Sequence, residues 1–488
     1  MTPHPRAPVV VGVGQIEQRV DEPHQRAEPL EMMIAAVERA ADDAGSRGLL
    51  RAANSVRVIR GVWKYGDPGR AVAERIGAPT AQTVGTPWGG NMVQSTVNQT
   101  ALAIQRGELE VVVITGAEAG YSLAKARRNG IRLEYSEAPG TPDLMIAPEE
   151  PMSHEAETAR GIVRAIQVYP IFENAIRHAR GESLEEHRTR ISELWARFNA
   201  VAVGNPHAWL REPLSAEEIR TPSSSNRMIG FPYPKLMNSN NNVDQGAALI
   251  LCSVEAARRA GIGEDRWVFL HAGTDAHDHP TVSDRADLHS SPAIRIAGSR
   301  VLELAETSID ELAHIDIYSC FPSAVQVAAE ELGIAEDRQL TVTGGLTFGG
   351  GPLNDYVMHA IATMVEVLRA DPGSKGLVTA NGGFLTKHAF GVYSTEPPVG
   401  PFRHEDLQEQ VDALPRREVR IDHEGPATIE SYTVMHGREG PEIGHAACLL
   451  EDGRRTWANT RDADALAAMT REECCGRPVT IDGKGNLV

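Results

Sequence analysis

Thr83 to Ile104 reads TVGTPWGGNMVQSTVNQTALAI. A short β-branched run meets a glycine turn at Gly89-Gly90, and Met92, Val97, Leu102 and Ile104 then recur at helical spacing. Turns from a strand into a buried helix commonly present a nucleophile. Here Trp88, Gly89, Gly90 and Asn91 bring no thiol, hydroxyl or amine to the tip.

The flanking sequence repeats the same rhythm. APVVVGVGQIEQR predicts a buried strand, LEMMIAAVERAADDAG a helix with a glycine stop, and VIRGVWKYG and LEVVVITGAEAGYS two further strands. Gly12 and Gly14 make half a dinucleotide fingerprint, but Glu17 stands where the third glycine would fall, which argues against a nicotinamide site. From about Lys125 to Asn242 the pattern gives way to charged helices and Pro-containing loops, the mark of an insertion laid over the sheet. AALILCSVEAARRAGI, WVFLHAGTD, IDIYSCFPSAVQVAAEELGI, TVTGGLTFGGGPLNDYVMHAIATMVEVLR and KGLVTANGGFLTKHAFGVYS then run through strand, turn, helix and strand again. Two similar layered α/β halves are predicted. After STEPPVGP come alternating strands at REVRIDHEG, ATIESYTVMHG and GHAACLLEDGRRTWANT, a helix at ADALAAMT and a last strand near RPVTIDGKG, an order that fits a small OB-like β-barrel.

Composition narrows the classes of function. The 488 residues are 41% hydrophobic and 23% charged with a net charge of −18, which argues against wrapping nucleic acid or coating an anionic membrane. No apolar run approaches the roughly 20 residues of a membrane span, and MTPHPRAPVV lacks the plan of a signal peptide, so a cytoplasmic chain is expected. Five cysteines without CxxC spacing support neither a disulfide framework nor zinc, and the His-rich stretches HAGTDAHDHP and EIGHAAC lack metal-site spacing, so no metal is assigned.

These motifs together resemble the thiolase superfamily, most closely the sterol-carrier-type thiolases and thiolase-like proteins of actinobacteria. The resemblance spans about residues 8–394 and rests on the empty turn, NNNVDQGAALIL, YSCF, GGLTFGGGP and ANGGFLTKHAFGVYS. It implies a five-layer α-β-α-β-α duplication with a loop domain. The expected divisions are 1–124 with 243–255 for the N-terminal half, 125–242 for the loop domain, 256–396 for the C-terminal half and 397–488 for the OB-like domain.

The resemblance also assigns roles. The family's acyl-accepting cysteine falls at Gly89, and the histidine of its Gly-His-Pro motif falls at Gly351, so nucleophile and base are both absent. The family motif His-Asp-Cys-Phe becomes Tyr318-Ser319-Cys320-Phe321, which leaves Cys320 as the acid/base thiol and Tyr318 as a hydrogen-bond donor to a carbonyl; Cys320 equally suits a buried structural thiol. The final Cys-x-Gly becomes Ala380-Asn381-Gly382, a turn without a thiol. His388 either faces the pocket or hydrogen-bonds within the core, and His207 either lines an acyl channel or orders its loop. Gly89, His207, Gly351, Asn381 and Gly382 are the substrate-binding candidates. Arg127, Arg128, Arg227 and Lys235 are the cations available for coenzyme A phosphates, and each also suits a solvated surface.

The expected function is therefore a thiolase-like protein of lipid metabolism, binding acyl-coenzyme A as a ligand with no permanently held cofactor. A covalent thiolase reaction is excluded for want of a nucleophile. The alternatives are a retro-aldol carbon–carbon lyase using Tyr318 and a non-catalytic coenzyme A-binding or scaffold protein. Self-association is left open.

Overall fold

The structure, a computed structural model, describes residues 3–488. Its large sheet runs in the order His314–Asp316, Lys375–Gly382, Lys387–Ser394, Val268–His277, Pro8–Glu17, Asp244–Ser253, Val111–Ala119, Ser55–Val58, Gln82–Gly85 and Leu144–Met145. The two halves of the chain meet where Val9 and Val10 pair with Phe269 and Val268. Helices Met92–Arg106 and Tyr356–Ala370 lie between the halves, buried on nearly every side. The five-layer thiolase-like arrangement expected from the sequence is present.

Strand alternation builds these layers. In the strand Pro8–Glu17, Val9 and Val11 join the outer core beneath helix Pro29–Asp43, while Val10 and Val13 face the central helices. Gly12 and Gly14 serve packing: an added Cβ would lie 2.1 Å from the carbonyls of Ala40 and Ala36 respectively, so the outer helix rests directly on the strand backbone. The strands over helix Met92–Arg106 are relieved in the same way. A Cβ at Gly391 would meet Gln94 at 2.3 Å, and one at Gly273 would meet Asn98 at 2.2 Å.

The insertion supplies helices Ala165–Arg180 and Leu184–Gly204, and also three short strands that the sequence pattern did not predict. Leu144–Met145 pairs with Gln82–Gly85 in the large sheet. Met228–Gly230, with Tyr233–Pro234, pairs with Gly425–His436 in the second sheet. That sheet runs Arg455–Thr460, Pro441–Leu449, Gly425–His436, Met228–Gly230, Tyr233–Pro234, with Pro478–Ile481 on the other part of Gly425–His436. REVRIDHEG, expected as a strand, makes only an isolated bridge, Val419 to Arg455, although Val419 and Ile421 pack half-buried against the main core. The sequence placed the start of the C-terminal domain at 397, yet Arg403–Asp406 pairs with Val268–His277, and Phe402, Leu407 and Val411 are buried in the main core. Among the described residues no helix is long and apolar enough to cross a membrane.

Candidate active site

The Gly89 turn stands at the head of the central helix Met92–Arg106, and the other half of the protein closes over it. A Cβ on Gly90 would lie 2.5 Å from the Asn381 carbonyl oxygen and 2.6 Å from the Tyr318 hydroxyl. One on Gly382 would lie 2.3 Å from Asn91 Oδ1 and 3.1 Å from the Gly90 amide. Gly89, Gly90, Asn91, Tyr318, Asn381 and Gly382 thus form one contiguous cluster. Cys320 joins it through Asn381, whose Nδ2 lies 3.9 Å from its Sγ. At Gly89 the space for a side chain holds Asn91 Oδ1, 2.4 Å from where a Cβ would stand.

Burial sets the chemistry of these groups. It pushes the Cys320 thiol up to about 12, so the thiol stays protonated at neutral pH. It also holds the Tyr318 hydroxyl well above the usual phenol range. Tyr318 is fixed by its backbone, whose amide donates to Thr379 Oγ1 at 2.9 Å, and by an edge-on contact with Tyr356 at 5.5 Å. Among the described residues its hydroxyl makes no hydrogen bond. The oxygens of Asn91 and Asn381 are likewise buried without a partner. An aligned hydroxyl and two unengaged amide oxygens at one turn can bind a polar group and move a proton.

Sequence reasoning missed Tyr169. Its hydroxyl accepts from Asn381 Nδ2 and from the Leu385 amide, both at 3.0 Å, and its ring stacks on Phe321 at 4.4 Å. It comes from the insertion, where a tyrosine in an amphipathic helix gives no sign of its target.

The remaining expected residues lie elsewhere. His388 is turned from the turn toward Asp278, with Nε2 at 3.3 Å, in a buried group that includes Arg285 and Ser291. Gly351 lies under Ser239 and Asn241: a Cβ there would stand 2.4 Å from Ser239 Oγ, so the loop fills the room a histidine would need. His207 faces Glu17, Nδ1 to Oε2 3.2 Å, at the head of the other central helix. Arg227 and Lys235 are neighbours on one hairpin, Arg127 and Arg128 sit on the last turn of helix Gly120–Arg128, and none of the four is ion-paired among the described residues. His178, Glu473 and Cys475 come within 4.8 Å of one another, but Arg177 grips Glu473 at 2.6 and 2.8 Å and puts a fixed positive charge where a cation would sit.

A second polar group lies at the head of helix Tyr356–Ala370. Glu17, Gln245 and Glu118 stand side by side across three strands, and Asp355 and His359 descend onto them. Burial raises the Glu118 carboxyl to about 7 and lifts Asp355 well above the usual range, while neither oxygen of Asp355 has a partner. Burial brings His359 down to about 3.

Comparison with known proteins settles the family. The chain matches the crystal structure of a monomeric SCP2-thiolase-like protein type 1 from Mycobacterium smegmatis with a TM-score of 0.85 and 33% identity over 100% of both chains. The chain belongs to the SCP2-thiolase-like type 1 family. Residues 406–486 match the family model for the thiolase-like protein type 1 additional C-terminal domain. The Ltp2–ChsH2(DUF35) aldolase shares the fold at TM-score 0.60 and 20% identity over 80% of this chain and 98% of that one. Acetyl-CoA acetyltransferase of Methanothermobacter thermautotrophicus is 24% identical over 211 residues, 40% of this chain and 53% of its own length, so the chain spans about half of that curated relative. Type 1 membership accounts for the extra C-terminal domain.

Proposed function

We propose that the chain binds an acyl-coenzyme A thioester at the Gly89 turn and forms no acyl-enzyme. The observation that carries this reading is the turn itself: it heads a buried helix and is closed over by Tyr318 and Asn381, while Asn91 Oδ1 fills the room of a side chain at Gly89 and Ser239 Oγ that at Gly351. Cys320 does not replace the nucleophile, since burial keeps it protonated. Rapid quench with radiolabelled acetyl-coenzyme A is expected to leave no label on the protein, while calorimetric titration with the same ester shows binding. Stoichiometric labelling, or no binding of any acyl ester, overturns the reading.

A second reading is favoured by Tyr318. A buried hydroxyl with no hydrogen bond of its own, against the turn where the thioester would lie, suits proton transfer in retro-aldol cleavage of a β-hydroxyacyl-coenzyme A. Under this reading Tyr318→Phe slows release of the carbonyl product by about 10²- to 10⁴-fold, the usual contribution of a general acid or base. Cys320→Ala matters less. Wild-type protein that binds the ester and releases no product leaves the binding function alone standing.

A further inference from the structure

The Gly89 turn lacks a nucleophile but is rich in donors. Lys387 opens its strand beside the turn, paired across the sheet with Gly382 on one side and His277 on the other. It is 6% exposed. Its Nζ lies 3.0 Å from Glu150 Oε2, and His277 Nδ1 lies 3.3 Å from the same oxygen. The Trp88 amide, one residue before Gly89, donates to both carboxylate oxygens of Glu149 at 3.2 Å. An ammonium, an imidazole and a backbone amide thus converge on two consecutive carboxylates.

Those carboxylates do not belong to the sheet. Glu149 and Glu150 sit on an exposed stretch of the insertion, after the strand Leu144–Met145, while Lys387, His277 and Trp88 are fixed by the sheet and the turn. Burying an ammonium is costly unless an anion accompanies it. Here the anion is the chain's own, carried on the more exposed partner. Burial alone would raise the Glu150 carboxyl, and Lys387 with His277 overcome it and hold it below the usual range.

We propose that Lys387, His277 and the Trp88 amide form an anion subsite for a carboxylate borne on the acyl group of the ligand, and that Glu149 and Glu150 occupy it until such a ligand enters. The substrate class is then an ω-carboxyacyl thioester. This rests on the reading of the turn as an acyl-thioester site. The two glutamates act as an internal competitor: a ligand with a carboxylate regains the charge-assisted bonds that the glutamates give up, and a purely apolar acyl chain does not.

The test is calorimetric titration of the full chain with glutaryl-coenzyme A, butyryl-coenzyme A and free glutarate. In the Glu149→Ala/Glu150→Ala double variant, glutaryl-coenzyme A is expected to bind about tenfold more tightly than in the parent, on the scale of a recovered charge-assisted pair, with butyryl-coenzyme A unchanged. Adding Lys387→Met removes the gain; a cooperative melt of each variant shows that it is folded, and Lys387→Arg restores part of the gain. Equal gains for both esters, or a glutaryl gain that survives Lys387→Met, overturn the subsite. Free glutarate separates the two claims. A Lys387-dependent glutarate affinity without binding of either ester keeps the subsite and removes the thioester reading. Ester binding with no glutarate or glutaryl preference does the reverse, and the absence of every signal removes both.

Discussion

At Gly89 and Gly90 two adjacent glycines face different neighbours. A Cβ at Gly90 would run into the Asn381 carbonyl, which belongs to a sheet strand and cannot withdraw, and into the Tyr318 hydroxyl. A Cβ at Gly89 would meet only the end of the Asn91 side chain, whose oxygen has no hydrogen bond to lose. Gly90→Ala is therefore expected to destabilise the protein by about 1–3 kcal/mol, as overpacking does, and Gly89→Ala to stay within about 0.5 kcal/mol. Urea unfolding of the two variants checks the order. The absence of a nucleophile was legible from the residues Trp88 to Asn91 alone. What fills its space was not, because Asn91 and Ser239 reach Gly89 and Gly351 through backbone geometry that residue types do not encode.

Among the secondary-structure elements, the helices at the centre differ at their heads. In the first turn of helix Met92–Arg106 Ser95 donates to the Asp275 carboxylate, whereas helix Tyr356–Ala370 begins above the buried carboxyls of Glu118 and Asp355, with Glu17 beside them. Burial gives the Glu118 carboxyl a higher pKa in the folded chain, about 7, than in the unfolded one. The folded state then holds the proton more tightly, so stability is greatest at low pH, falls as pH rises between the ordinary carboxyl value and about 7, and is level above. Glu118→Gln keeps an acceptor for the Val62 amide and removes the titration. The variant should lie within about 1 kcal/mol of the parent at pH 5 and be more stable at pH 8 by up to about 3 kcal/mol. Differential scanning calorimetry at the two pH values decides it. Equal midpoints at pH 8 would show that Glu118 is hydrated. The long strands and buried helices were legible because β-branched runs and helical spacing repeat along the chain. Met228–Gly230 was not, since three residues carry no period and join the second sheet through a single bridge, Gly230 to Met435.

Across the whole molecule, the C-terminal domain is fastened to the thiolase-like body by buried polar groups. Arg455 is fully buried, grips Glu430 with two bonds of 2.6 Å, and donates from Nη1 to the carbonyls of Ser283 and Arg285 at 2.8 and 2.6 Å. Trp457 belongs to the main core and donates to Ser283 Oγ at 2.8 Å. Arg455→Ala leaves a carboxylate and three carbonyls, that of Val282 included, without this donor, and is expected to cost about 3–5 kcal/mol, seen as a lower urea midpoint. A separate, detachable domain was the natural reading of the Pro-rich stretch at 395–401. Composition marks a bend in the chain and says nothing about a buried arginine 50 or more residues later that ties both sides of the bend together.

The two-residue strand Leu144–Met145 occupies the flank of Gln82–Gly85, and Asp143 pins it there by accepting from the Thr83 amide at 2.8 Å and from Arg70 at 2.9 Å. A sheet border left bare invites another polypeptide to continue it, and so becomes a template for uncontrolled growth. Two residues of an insertion close that template here. Asp143→Ala is expected to loosen the cover and add larger, concentration-dependent oligomers to the sedimentation profile of the parent; an unchanged profile would mean that Leu144 and Met145 hold the border without it.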